Sequence, residues 1–344
     1  MRVVCILAFL FCSLISISQA NLVSYGYTQC TWEEIHLTDS SYQSSDSSII
    51  FATTRSVLKN TGKEFLGTEI SSDSLLRFYT VYFRGNSWKA SPRRTLAEAL
   101  NKTPSPADYV VYAEGDGKTF PDNVDRSTRL SRLYGANVIM FDWPSRVPGY
   151  GGLKNVHNTV RNTKGAAKQF HTFLLLLQEY KKQHPDKMAH ISLFFHSLGN
   201  AVFKNSVEEY GSSDLNKGLV DNIILNAACV PVRHHKKWLE GLNFQGQIYV
   251  LYNRKDKTLR EASFLFAKRL LGCQLKKPLA GNARYIDMGF LASDKHNYFL
   301  LIPLLQQHPG IPFFFDLVFH GKPLDPSIPT RFRIRSDGKG YTLL

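Results

Sequence analysis

A serine hydroxyl attacks a carbonyl carbon only when a base removes its proton, and the histidine that does so needs a carboxylate to fix its tautomer and stabilise its charged form. Ser197 is the candidate hydroxyl. It lies in "HISLFFHSLGNAVFKNSVEEY", His190 to Tyr210, where Phe194 and Phe195 close an apolar run and the apolar positions from Leu198 switch to helical spacing through Val202, Phe203 and Val207. A serine at a strand-to-helix bend can simply cap the helix. It can also be held above a sheet edge, where free N–H groups at the helix start meet an oxyanion. Its partners decide between the two.

On the plan that presents a nucleophile at such a bend, the chain order is serine, acid, histidine. The strand "NIILNAA" is followed by Cys229 and Pro231 but no carboxylate, whereas "IYVLYN" is followed by Asp256, the expected acid. After "RYIDM" comes "GFLASDKHNYFL", which puts His296 where the base should fall. His308 and His320 lie further on and are weaker candidates, Asp294 is too near His296 to be preferred, and His196 is expected to point away from the nucleophile in a supporting role. An oxyanion hole needs two backbone donors. Leu198 supplies one N–H, and the loop "YAEGDGKTF" supplies Asp116, flanked by Gly115 and Gly117.

These residues must be positioned by a sheet. Eight short apolar runs begin at Ser48, Arg77, Tyr109, Asn137, His190, Asn222, Ile248 and Arg284, with amphipathic stretches between several of them, including a long one from about Asn158 to Gln183. The alternation predicts an α/β fold, a mostly parallel doubly wound sheet of about eight strands flanked by helices, with chemistry at the carboxyl ends of the strands.

The elbow "HSLGN" from His196, with "IIFATTR", "FDWPSR", "NIILNAA", "YVLYNRKDKTL" and "RLLGC", resembles the bacterial α/β-hydrolases of unknown function whose elbow reads "HSMGN". The resemblance implies the α/β-hydrolase fold and a Ser197, Asp256, His296 triad. Two positions depart from that pattern. Glu114-Gly115 stands where members carry histidine-glycine, and Phe195 stands two before the serine, where a small residue avoids crowding the turn.

The first twenty of the 344 residues, with Arg2, an apolar run from Val3 to about Ile17, and Ser18 and Ala20 at the end, read as a cleavable export signal, shorter than the ~20 apolar residues of a spanning helix. Residues 21–47, rich in serine from Thr38, read as a flexible leader, and 48–344 as the α/β-hydrolase domain in a periplasmic or extracellular setting. Cys30, Cys229 and Cys273 then allow one disulfide and one free thiol, without fixing the pair. No Cys/His spacing suggests a metal site, and neither metal nor organic cofactor is expected.

The formal net charge is +14, grouped in "RHHKKW" from Arg233, "YNRKDK" from Tyr252, Lys276-Lys277 and "RFRIR" from Arg331. Such a field attracts anionic surfaces. It makes an anionic membrane a candidate partner, while no nucleic-acid motif accompanies it. "FLLIPLL" and "GIPFFFDLVF", close after His296, are read as core before acyl pocket. The reading is therefore a secreted serine hydrolase acting on a small-molecule or lipid ester, with a catalytically silent, anion-binding relative as the alternative.

Overall fold

The computed structural model describes residues 35–37 and 48–344, apart from 61–62, 85–86, 102, 104–106, 148–149, 326 and 339. The expected signal at 1–20 and Cys30 lie outside the described residues, as does the expected leader except for 35–37.

The strands are β1 (Ile35–Leu37), β2 (Ser48–Thr53), β3 (Arg55–Asn60), β4 (Lys63–Ile70), β5 (Arg77–Arg84), β6 (Ser87–Arg93), β7 (Ala107–Ala113), β8 (Asn137–Asp142), β9 (Met188–His196), β10 (Val220–Asn226), β11 (Gln245–Tyr252), β12 (Ala283–Asp287), β13 (Phe332–Ile334) and β14 (Tyr341–Leu343). Twelve of them form one sheet in the order β1-β6-β5-β2-β8-β7-β9-β10-β11-β12-β14-β13, and β3 pairs with β4 as a separate hairpin. The eight expected strands are contiguous in it. The sheet is larger than expected because β1 and β6 extend one edge and β14 and β13 the other. In particular, Ile35–Leu37, read as leader, pairs in parallel with β6.

From β2 to β12 through β8, β7, β9, β10 and β11 every neighbouring pair is parallel, while β5 runs antiparallel to both β2 and β6. Central strands covered on both faces need no polar side, which is why they read as unbroken apolar runs. The pleat then splits β9: Phe195 enters the core on one face with Val111 and Leu225, and Phe194 the core on the other with Tyr112 and Ile224.

The helices are α1 (Leu96–Leu100), α2 (Phe120–Tyr134), α3 (Gly152–Gln183), α4 (Gly199–Tyr210), α5 (His235–Glu240), α6 (Lys257–Leu265), α7 (Ile302–Gln307) and α8 (Gly310–Phe319). α2 begins with a capping box between Thr119 and Asp122 and stops at Gly135, which adopts the left-handed φ of 64°. α3 begins six residues earlier than its apolar pattern suggests. Its first turns carry Asn155, Asn158, Thr159 and Asn162, all buried, and Asn155, Thr159 and Asn162 bond the loop after β8. The apolar segments after His296 are core: Phe299 and, on α8, Ile311, Phe314, Phe315, Val318 and Phe319 are all fully buried. Among the described residues no helix is long and apolar enough to cross a membrane.

Two segments that the sequence offered only as family likenesses meet beside the site. Arg55, from "IIFATTR", and Asp142, from "FDWPSR", are both buried and pair at 2.8 Å through Nε and 3.1 Å through Nη2. Thr53 and Asn123 donate to the same carboxylate at 2.6 and 2.7 Å. The guanidinium also donates to the carbonyls of Gly67, Lys118 and Trp143, so one buried ion pair ties four chain segments together. Removing one partner strands the other charge in the core. Asp142→Ala is therefore expected to lower the unfolding free energy by about 3–5 kcal/mol, read from urea denaturation.

Candidate active site

The parallel register puts the ends of the central strands level. His196 of β9 pairs with Asn226 of β10, Asn226 with Leu251 of β11, and Tyr252 with Asp287 of β12. Ser197, the loop bearing Asp256 and the loop bearing His296 consequently leave the same edge of the sheet.

Ser197 sits at a φ of 52°, in the left-handed region that non-glycine residues rarely adopt. Such a conformation costs of order 1–3 kcal/mol and persists only where its surroundings over-determine it. Here Ser197 N–H donates to Asn226 O at 3.1 Å, and Cys229 N–H donates to Ser197 O at 3.1 Å. The buried Asn200 amide adds bonds to the carbonyls of Phe195, Ser197 and Asn226 at 3.1, 3.0 and 3.1 Å. Asn200, the last residue of "HSLGN", thus braces the bend, a role the sequence did not reveal.

The crowding expected from Phe195 does not occur. Its ring turns away from the bend and stacks on Phe203 of α4, 4.4 Å between centroids and 10° from parallel, with Phe170 edge-on at 5.4 Å. Space at the elbow comes from two glycines instead. A Cβ on Gly199 would stand 2.2 Å from Ala113 O, and one on Gly115 would stand 2.5 Å from the Cβ of Ser197. Gly115→Ala must push the serine aside. Because a displacement of about 1 Å costs roughly 10²-fold in rate, this variant should fold, yet hydrolyse ester about a hundredfold more slowly in steady-state assays.

Asp256 is fully buried, and its Oδ2 lies 2.7 Å from Nδ1 of His296. Its other oxygen accepts the Leu259 N–H at 2.9 Å as the N-cap of α6, which fixes the carboxylate plane. The acid and base loops are joined twice more, by Lys257 N–H to Asp294 O at 3.2 Å and by the Asn253 amide to Ser293 O at 2.7 Å. A histidine donating from Nδ1 to a carboxylate keeps Nε2 as the proton acceptor. Neither Nε2 nor the Ser197 hydroxyl is bonded to another described residue, so both are free to engage a substrate. Bonds between nucleophile and base commonly tighten only when substrate arrives.

His196 does not point away from the site. It is buried with its ring 4.5 Å from that of His296. Asn226 Nδ2 donates to its Nδ1 at 3.1 Å, and its Nε2 donates to Asn297 Oδ1 at 3.0 Å. Asn297 also accepts from Arg126 at 3.0 Å, and Arg126 is paired with Glu114. Glu114, standing where relatives carry histidine, bonds Arg126, the Tyr112 hydroxyl and the N–H of Gly115. A chain of buried and partly buried polar groups therefore runs from the oxyanion loop to the residue after His296.

The charge states in that chain set a pH dependence. Burial holds His196 well below its ordinary 6.5, so the native state leaves it neutral where the unfolded chain protonates it. Burial alone would raise the Glu114 carboxyl, but Arg126 overcomes this and holds it below its ordinary 4.5. In both cases the unfolded state binds more protons on acidification, so stability falls with falling pH, first below 6.5 from His196 and then below 4.5 from Glu114. Urea titrations between these two values should show a shallower decline for His196→Gln than for the wild type.

The backbone N–H groups around the bend differ in whether they are engaged. The Gly115 N–H is taken by Glu114 and the Gly117 N–H by Ser145 O at 3.0 Å, whereas the N–H groups of Leu198 and Asp116 have no acceptor among the described residues. The Asp116 carboxyl is raised by burial and is held by the Thr159 hydroxyl at 2.6 Å and the Asn155 amide at 3.2 Å. His320 lies elsewhere, on Asp108 at 2.5 Å near the start of β7, the opposite sheet edge. Cys229 and Cys273 are free, buried thiols that do not pair with each other. No group of three or more His, Cys, Asp or Glu side chains among the described residues could hold a metal ion.

The model of the family described as "Alpha/beta hydrolase of unknown function (DUF900)" matches residues 88–284, more than half of the chain. The chain belongs to this family, and the fold and the strained elbow are those of an α/β hydrolase. Among solved structures it is similar to carboxyl esterase 2 of the mycorrhizal fungus Tuber melanosporum, with 11% identity over 83% of this chain and 88% of that one and a TM-score of 0.41. It is also similar to the esterase of Pyrobaculum calidifontis, with 16% identity, 71% and 80% coverage and a TM-score of 0.35. Likenesses this distant say nothing of the chemistry. Nothing matches among curated protein sequences.

Proposed function

We propose that this α/β hydrolase is an exported serine hydrolase that cleaves a carboxylic ester of a small molecule or lipid through an acyl-enzyme. The observation that carries the reading is the 2.7 Å contact between His296 and the buried, helix-capping Asp256, at the sheet edge where Ser197 is held in a left-handed bend. Ser197 Oγ attacks the carbonyl carbon as its proton passes to His296 Nε2, and Asp256 stabilises the resulting imidazolium. The N–H groups of Leu198 and Asp116 receive the oxyanion. Collapse expels the alcohol, which takes the proton from His296. Water then enters by the same base, and Ser197 leaves the acyl group with its proton restored. Ester is preferred to amide or thioester because it is the commonest substrate on this plan. Export rests on the apolar segment that begins the chain.

Hydrolysis of p-nitrophenyl esters over a range of acyl lengths tests this directly. Turnover by the wild type that vanishes in Ser197→Ala is expected. A folded protein that turns over none of them, yet still binds anionic polymers, would support the silent binding protein instead.

A further inference from the structure

Two basic stretches, "RHHKKW" and Lys276-Lys277, are some forty residues apart in the sequence and play no part in the triad. The fold brings them to one cleft of ≈ 610 Å³, lined by Arg233, His234, Lys236, Lys237, Lys276 and Lys277 with few other residues. Its two walls are tied together at both ends. Val232 N–H donates to Arg269 O at 2.9 Å, and Glu240 Oε1 accepts the Gly281 N–H at 2.9 Å. Glu240 is the single carboxylate in the lining and is already engaged there, with Lys236 3.7 Å away. Arg233, Lys237, Lys276 and Lys277 are exposed and form no ion pair with another described residue.

Five lysine and arginine residues lining one concavity repel one another, and an anion of matching charge relieves that repulsion. We infer that this cleft binds a soluble anion carrying several phosphate groups. Arginine grips phosphate oxygens in a fork and lysine acts as a point charge, so a chain of phosphates engages all five where one phosphate engages two or three. The lining contains no Phe, Tyr, Trp, Leu or Ile. It therefore offers no large apolar side chain to enter a bilayer.

The test is calorimetric titration of the intact protein with inorganic tripolyphosphate near physiological ionic strength, about 0.15 M. Lys276→Gln/Lys277→Gln removes two cleft charges. Lys164→Gln/Lys168→Gln removes two exposed charges on α3, outside the cleft, and so keeps the net charge equal. The wild type and the α3 variant should bind alike, and the cleft variant about tenfold or more weakly. Three results overturn the inference: no binding to the folded wild type, equal losses in both variants, or binding confined to phosphatidylglycerol vesicles. Ester hydrolysis by the cleft variant should be unchanged, so this outcome is independent of the triad.

Discussion

Ser197→Ala is expected to lower kcat/KM for ester hydrolysis by about 10⁴ to 10⁶, because without the nucleophile only the oxyanion donors and substrate binding remain. Stability should barely change. The hydroxyl bonds no described residue, and the bend is held by backbone groups of Ser197, Asn226 and Cys229 and by the Asn200 amide, all of which survive the substitution. An active-site titration together with a thermal melt checks both halves. A melt that collapses in step with activity would mean that Ser197 is structural.

Asp256→Asn should cost nearly as much in rate, about 10⁴ in kcat, for a different reason. An asparagine oxygen can still accept the Leu259 N–H that Asp256 Oδ1 accepts at 2.9 Å, so α6 keeps its cap. The other terminus becomes an NH₂ facing His296 Nδ1 across a 2.7 Å contact. Two donors cannot share that bond, so the histidine is driven to the tautomer whose Nε2 carries the proton and cannot serve as base. Asp256→Ala removes the cap as well and should lower stability by roughly 1 kcal/mol. A large loss of kcat in the asparagine variant with an intact melt would separate the catalytic role from the capping role.

The triad candidates were legible because each follows a strand whose apolar run could be read directly, clearest in β9 and β11, so simple runs of residues located the edge of the sheet. The added strands were not. β1, β13 and β14 have three residues each, and β6, "SWKASPR", carries lysine, proline and arginine with only partial burial. At such edges pairing rather than hydrophobicity makes the strand. The departures noted at Phe195 and Glu114 were real in the sequence, but their consequences depended on partners. Phe203 lies one turn into α4 and receives the Phe195 ring. Arg126 reaches Glu114 only because α2 packs back on the sheet, chiefly against β8. Likewise Arg55 and Asp142 meet only because β2 and β8 pair with Thr53 opposite Asp142. Spacing along a chain does not encode such long-range pairings.

The central claim is that Ser197 is an activated nucleophile served by His296 and Asp256. Treatment of the folded protein with a fluorophosphonate, followed by intact mass and peptide mapping, tests it most directly. A single adduct on Ser197, formed readily by the wild type, slowly by Asp256→Asn and not at all by Ser197→Ala, is the expected result. An unmodified protein at every pH tried between about 7 and 9, or an adduct on any other residue, would contradict it.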